Sequence, residues 1–307
     1  MLSVLVSFRN SRDRASRLLQ SMFRTFRHWA PGDVEFILID DHSDPGQQIP
    51  QLLGGFRQQF AAGTRVTEFL FREHQHYSRA LAYGFSAARG DNVLFVSHDM
   101  LVTPDYVRTL LAVAALDAQF GIVRGVSPSV DAFPQHRVPP PFPLRSLEDV
   151  EVFSRYVSEY WQLHSVEDHL LTGDSMLVTR AALNKIGVFD PRYFGYFGDI
   201  DFGLRIQRAG FKMVCAKGAW LFHEGAAAYK DEAEVSKRDY ADIHRVRMET
   251  VNNAYHAFRD KWDKSMAPDY HGAIEAIPLE ALRISSQPAG NDFQPAISPD
   301  PSICTIR

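Results

Sequence analysis

Strands and helices alternate through the first 110 or so residues, and this pattern constrains the fold more than any other feature. LSVLVS (2–7), VEFILID (34–40), RVTEFLF (65–71) and NVLFVSHD (92–99) are short apolar runs with β-branched residues, the signature of buried strands. Between them, SRDRASRLLQSMFRTF sets Leu18, Leu19, Met22, Phe23 and Phe26 at helical spacing. Pro31-Gly32 ends that helix, a second helix runs to about residue 60, a third covers 78–90, and Pro104 opens a fourth. Such alternation predicts right-handed βαβ units and an α/β fold with a mostly parallel central sheet flanked by helices.

In sheets of this kind ligands bind beyond the carboxyl ends of the strands. Three polar clusters fall there: Phe8-Arg9-Asn10, Asp40-Asp41 and His98-Asp99. One such acid alone is often just a helix cap; three clusters on one sheet edge predict a polar binding cleft.

The second half is less regular. VPPPFPL (138–144) excludes helix and central strand and reads as a loop near the cleft. LEDVEVFSRYVSEYWQLH is an amphipathic helix. A strand at SMLVT leads to a helix capped by Gly187, and MVCAKGAWLFHEG (213–225) is a late strand ending in His223. From about Pro268 the chain turns rich in Pro, Ser, Ala and Gly, which reads as a disordered tail or a partner-bound strap. The expected division is residues 1–265 as one domain, with a nucleotide-binding half (1–100) and an acceptor-binding half (101–265), then the tail 266–307.

Composition narrows the function classes. The net charge of −4 offers no basic field for nucleic acid. Cys215 and Cys304 make neither a metal-ligand pair nor a disulfide framework, as expected in a reducing compartment. The apolar start MLSVLVS lacks the basic flank of a signal peptide, and no apolar run approaches the roughly 20 residues of a membrane span. The expectation is a cytoplasmic protein. Peripheral contact with the inner face of the membrane, and a homo-oligomer, stay open.

The stretch GYFGDIDFGLRIQRAGF (195–211) places Asp199 and Asp201 behind an aromatic run. A helix starting near Asp201 would pair Asp201 with Arg205 one turn on, which makes Asp201 a structural acid. Asp199, flanked by Gly198, would then be free to act as a general base against a wall of Tyr196 and Phe197. Helix capping by both acids is the plain alternative.

Taken together, VSFRNSRDR, ILIDDHSD, HYSRALAYGFSAARGDNVLFVSHD and VFDPRYFGYFGDIDFGLRIQRAGF resemble the family 2 glycosyltransferases of GT-A fold, with rhamnosyltransferase-like and galactosyltransferase-like features, over roughly residues 1–225. The last segment, aromatic–acid–x–Asp–x–x–x–Arg, is the most specific match. The family's Asp-x-Asp metal motif reads Ser97-His98-Asp99 here, so the first acid is missing, and Ser7 stands where many members have proline. The resemblance implies an inverting, hexosyltransferase-type enzyme of polysaccharide biosynthesis. It would move a sugar from a UDP- or dTDP-sugar to a glycan or glycolipid hydroxyl with Mn2+ or Mg2+. It implies Asp99 and His223 as metal ligands, and Ser7, Phe8, Arg9, Asp40, Asp41, Arg79 and His98 around the nucleotide-sugar. It puts Gly173, Asp174, Tyr196 and Phe197 on the acceptor side, and Asp199 with its support Asp201 at the chemistry. Two other readings stand beside it. One is a non-catalytic nucleotide-sugar or glycan-binding scaffold of the same fold. The other is a sugar-phosphate nucleotidyltransferase, which would want a glycine-rich phosphate loop that VSFRNSRDR lacks.

Overall fold

The structure is a computed structural model and describes residues 1–130, 134–171, 173, 175–193, 196–225, 240–270, 277–284 and 292–307. Its main sheet has nine strands in the order β11-β3-β2-β1-β4-β8-β6-β9-β7. The run β1 (Leu2–Phe8), β2 (Val34–Asp40), β3 (Arg65–Phe71) and β4 (Asn92–Ser97) is parallel throughout. Next to β4, β8 (Met176–Thr179) runs antiparallel and joins it to β6 (Phe120–Val126). β9 (Lys212–Trp220) is parallel to β6, and β7 (Ser165–Asp168) closes that edge antiparallel. Six strands therefore share one direction, the mostly parallel α/β sheet that the sequence predicts.

Strand parity decides which face each apolar residue serves. Val4, Val6 and Phe8 face a core built with α1 (Arg12–Phe26), α2 (Ile49–Arg57) and α4 (Pro104–Ala114). Leu5, Ile37 and Ile39 face the other core, shared with α3 (His76–Ala87), α6 (Arg180–Ile186) and α7 (Gly198–Arg208). A third cluster forms where α8 (Tyr240–Trp262) brings Tyr255, Phe258 and Trp262 against Tyr193, Phe197 and Leu204. The sequence reading contains no helix there. A fourth cluster packs α5 (Leu147–Trp161) over Cys215 and Trp220 through Phe153 and Val157.

Several boundaries move. The late strand divides into β9 and a short β10 (Phe222–His223), and β10 pairs antiparallel with β5 (Met100–Leu101) in a separate two-stranded sheet. Helix α7 begins at Gly198, three residues before Asp201, because Phe197 takes a left-handed conformation that starts the turn early.

The described part of the tail is ordered as a strap. β11 (Cys304–Ile306) pairs antiparallel with β3, Cys304 opposite Phe71, and fills the sheet edge. Upstream, Val188 N donates to Pro295 O at 3.0 Å. Gly187, at φ 72, permits that approach, since a Cβ there would collide with the Pro295 carbonyl. Low apolar periodicity hid the strap, because its contacts come from isolated residues: Phe293, Ile297 and Ile303 pack on the α3-side core.

Candidate active site

The carboxyl ends of β1, β2 and β4 lie side by side, and the helices that follow return with their N-termini on the same edge. Three groups of side chains collect there.

The first group joins β1, β2 and α3. The loop after β1 is stitched to the loop after β2: Asn10 N donates to Ser43 Oγ, and Asp44 N donates to Asn10 Oδ1, both at 2.8 Å. Arg9 donates to the carbonyls of Asp41 (2.9 Å) and His42 (3.1 Å). Asp41 is buried; its Oδ1 accepts from Gln75 N at 2.6 Å and its Oδ2 lies 3.3 Å from His74 Nε2. Gln75 Oε1 in turn accepts from Arg79 at 3.4 Å. Asp40 accepts from Ser43 N at 3.1 Å, and burial raises its carboxyl above the usual range. His76 follows at φ 63; burial and the neighbouring His74 push its imidazole down to about 4. Ser7, one residue before the end of β1, lies opposite Ser97 and is half-buried. Phe8 departs from expectation: its ring is fully buried in the core, so only its backbone, which accepts from Asp41 N at 2.8 Å, serves this edge.

The second group is held by the β5–β10 pair, which sets His223 opposite Met100, the residue after Asp99. Glu224 N donates to Asp99 O at 3.2 Å. His223 Nε2 stands 3.3 Å from Asp99 Oδ2, and its Nδ1 is 2.9 Å from the Ser129 carbonyl. That carbonyl can only accept, so Nδ1 carries a proton and Nε2 is turned to the carboxylate. Burial opposes ionisation of Asp99, but His223, His98 and Ser97 hold its carboxyl down at about 2. Its Oδ1 is buried with no hydrogen-bond partner. An imidazole nitrogen and a charged carboxylate with an unsatisfied buried oxygen fit a small divalent cation. His98 is buried beside them. From α1, Arg14 makes a two-pronged bond to Glu224, 3.0 Å at each prong.

Another set of ligand-type atoms, from His136, Asp168 and Cys215, lies close together. Its cationic position is already taken. The buried Arg124 guanidinium is 2.8 Å from Asp168 Oδ2 and 3.0 Å from His136 Nδ1.

The third group surrounds the start of α7. Asp201 is fully buried and heavily bonded. Its Oδ2 accepts from Arg205 Nε at 2.8 Å; its Oδ1 meets Trp262 Nε1 (2.9 Å), Tyr193 OH (3.3 Å) and Lys261 Nζ (2.6 Å). Arg205 donates onward to the carbonyls of Ile186 and Val188. Lys261 also bridges to Asp190 at 2.9 Å. Burial opposes the charge on Asp190, and Arg192 and Lys261 overcome it and hold the carboxyl well below its usual range.

Asp199 is only half-buried and lies outside that knot; its Oδ1 accepts from Ile200 N at 2.9 Å. A Cβ on Gly173 would sit 3.7 Å from Asp199 Oδ2 and 3.3 Å from the Tyr77 hydroxyl. Gly173, Tyr77 and Asp199 therefore share one small space. Asp174 lies outside the described residues. Tyr196 is half-buried at the margin of the third core. Phe197 departs from expectation: it is buried against Tyr255, Phe258 and Tyr270, so it walls α8 rather than a sugar.

Sequence reasoning missed His74, Gln75, Tyr77, Arg14, Glu224, Lys261 and Trp262. Only Tyr77, one position before the helix of the family-like segment, had a local signal.

Comparison with known proteins bears on the family and the fold. The profile described as glycosyltransferase like family 2 matches residues 55–263. The N-acetylglucosaminyl-diphospho-decaprenol L-rhamnosyltransferase of Mycobacterium tuberculosis is 41% identical over 56 residues, which is 18% of this chain and 18% of that protein. The mannosyltransferase PcManGT from Pyrobaculum calidifontis, solved with GDP-Man and Mn2+, superposes with a TM-score of 0.53 at 15% identity, covering 91% of this chain and 78% of that one. S. aureus TarS 1-349, solved with UDP-GlcNAc, gives a TM-score of 0.51 at 15% identity over 92% of this chain and 79% of that one. With the profile spanning well over half of the sequence and these structures sharing the GT-A fold over 91% and 92% of it, the chain belongs to glycosyltransferase like family 2.

Proposed function

We propose that the enzyme transfers a sugar with inversion from a UDP- or dTDP-sugar to a hydroxyl of a glycan or glycolipid. The observation that carries this reading is the gathering of the Asp40–Asp41 cluster and the Asp99–His223 pair at the ends of neighbouring parallel strands, with Asp199 beside Gly173 and Tyr77 at the start of α3. In it, Asp40 and Asp41 hold the base or ribose of the nucleotide, and Arg9 and Arg79 face its polar groups. Asp99 and His223 would hold Mn2+ or Mg2+, which would neutralise charge on the departing diphosphate. Manganese accepts the imidazole better than magnesium does. Asp199 Oδ2, beside Gly173 and the Tyr77 hydroxyl, takes the proton of the acceptor hydroxyl as that oxygen attacks the anomeric carbon from the face opposite the leaving group. Asp201 fixes the start of α7 and thereby the place of Asp199. Residues 1–100 mainly serve the donor and 101–265 the acceptor, with His223 reaching to the metal and Tyr77 to the acceptor side.

The test is a donor screen that reads release of free nucleoside diphosphate, run with Mn2+, with Mg2+ and with chelator. Release from a UDP- or dTDP-sugar that rises with metal supports the reading. Tight nucleotide-sugar binding with no turnover on any acceptor would favour the scaffold.

A further inference from the structure

Three chain segments meet beside Asp199, and each is tied to the core in its own way. Tyr77 lies in the first turn of α3, and its ring is held edge-on by Phe95 (5.8 Å between centroids) and Phe189 (6.0 Å), both buried. The segment that carries Gly173 is fastened by Ser175, whose buried Oγ donates to the Phe95 carbonyl at 2.8 Å. The start of α7 rests on the start of α3: a Cβ on Gly198 would collide with the Oγ of Ser78, which is fully buried. Phe95 belongs to β4, the strand that ends two residues before Asp99. One strand thus supports Tyr77, the Gly173 segment and the acid of the candidate metal pair.

An atom at the place of a Gly173 Cβ would be 3.3 Å from the Tyr77 hydroxyl and 3.7 Å from Asp199 Oδ2. A single small group there touches a hydroxyl and a carboxylate at once. The Tyr77 hydroxyl stands 3.5 Å from the Gly173 carbonyl, a long contact that a closer substrate oxygen would replace. An oxygen that loses its proton while it attacks carbon needs a base for the proton and a donor that fixes its place. We propose that the Tyr77 hydroxyl donates to the acceptor oxygen that Asp199 deprotonates, and that glycine at 173 leaves the room in which this oxygen lies between them. This rests on the transfer reading above and adds a second contact to the acceptor. The acceptor O–H gives its proton to Asp199 Oδ2 as its oxygen bonds to the anomeric carbon. The bond from that carbon to the diphosphate breaks, and its electron pair leaves with the diphosphate. Tyr77 keeps its own proton throughout.

The experiment uses the full chain with Mn2+, UDP-glucose, UDP-N-acetylglucosamine and dTDP-rhamnose as donors, and methyl pyranosides of glucose, N-acetylglucosamine, mannose and rhamnose as acceptors. Wild type, Tyr77→Phe and Gly173→Ala are compared for transfer to the glycoside against transfer to water, and for donor KM. Phenylalanine keeps the ring between Phe95 and Phe189, and alanine adds one methyl, so melting temperatures should match wild type. The expected result is a ratio of glycoside transfer to hydrolysis lowered about tenfold in Tyr77→Phe, the scale of one hydrogen bond. Gly173→Ala should lower the ratio through a raised acceptor KM, and donor KM should stay as in wild type in both. A purely structural role would lower transfer and hydrolysis together and leave the ratio alone. The wild-type ratio in Tyr77→Phe overturns the contact, whatever Gly173→Ala does. Donor hydrolysis by wild type with transfer to none of the glycosides also overturns it, and leaves the donor chemistry standing. No turnover of any donor by wild type is instead the failure of the transfer reading, and the inference falls with it.

Discussion

Asp201 and Lys261 meet at 2.6 Å with both side chains fully buried, and they come from segments 60 residues apart. The carboxylate lies at the start of α7 and the ammonium near the end of α8. Arg205 adds a second buried cation at 2.8 Å. A buried charge cluster is stable only while every member is present, because loss of one partner strands the others in low dielectric.

Asp201→Asn is therefore expected to destabilise the fold by about 3–5 kcal/mol, seen as a lower melting temperature. Nucleotide-sugar binding at a temperature where the variant is folded should persist. An unchanged melting temperature would show that the knot does not hold α7.

His76 provides a pH-dependent signature. Its imidazole titrates at about 4 in the folded chain and near 6.5 when unfolded. The unfolded chain thus binds the extra proton between these values, so the contribution of His76 to stability is present above pH 6.5 and is lost as pH falls towards 4. His76→Asn keeps a residue that tolerates the left-handed backbone. Urea unfolding of this variant at pH 7, 5.5 and 4.5 should fall off less steeply than that of wild type; parallel curves would contradict the account.

Much of the first half was legible in the sequence, because parallel strands buried on both faces leave continuous apolar runs such as VEFILID, and acids stand out against them. The same density concealed the direction of Phe8, although its parity with Val4 and Val6 sends it to the α1 side. Phe197 misled for another reason. Its destination is set by α8, whose weakly patterned sequence gives little hint of burial, and by rings at 255, 258 and 270 that no local spacing connects to it. The His223–Asp99 contact was suggested by family likeness alone; the β5–β10 pairing that makes it is two residues long on each side, below what periodicity can detect.

The tail should matter for solubility. Removing residues 292–307 uncovers β3 as an edge strand and exposes the surface under Cys304 and Ile303, an arrangement prone to pairing with other chains. Size-exclusion chromatography of the truncated chain is expected to show aggregation and a lower melting temperature. A monodisperse, equally stable product would mean that the strap is dispensable.

For the metal, Asp99→Ala is expected to remove calorimetric Mn2+ binding and metal-stimulated nucleotide release while the melting temperature without metal changes little. Mn2+ affinity equal to wild type would move the ion elsewhere.

The most direct test of the central claim is acceptor transfer by Asp199→Asn. Asparagine keeps the shape and removes the base. The account predicts transfer lowered by ~10²-fold or more, the usual scale for a positioned base, with donor affinity and melting temperature as in wild type. Wild-type transfer by Asp199→Asn, with a folded but inactive Asp201→Asn, would contradict it and give the proton to the other acid.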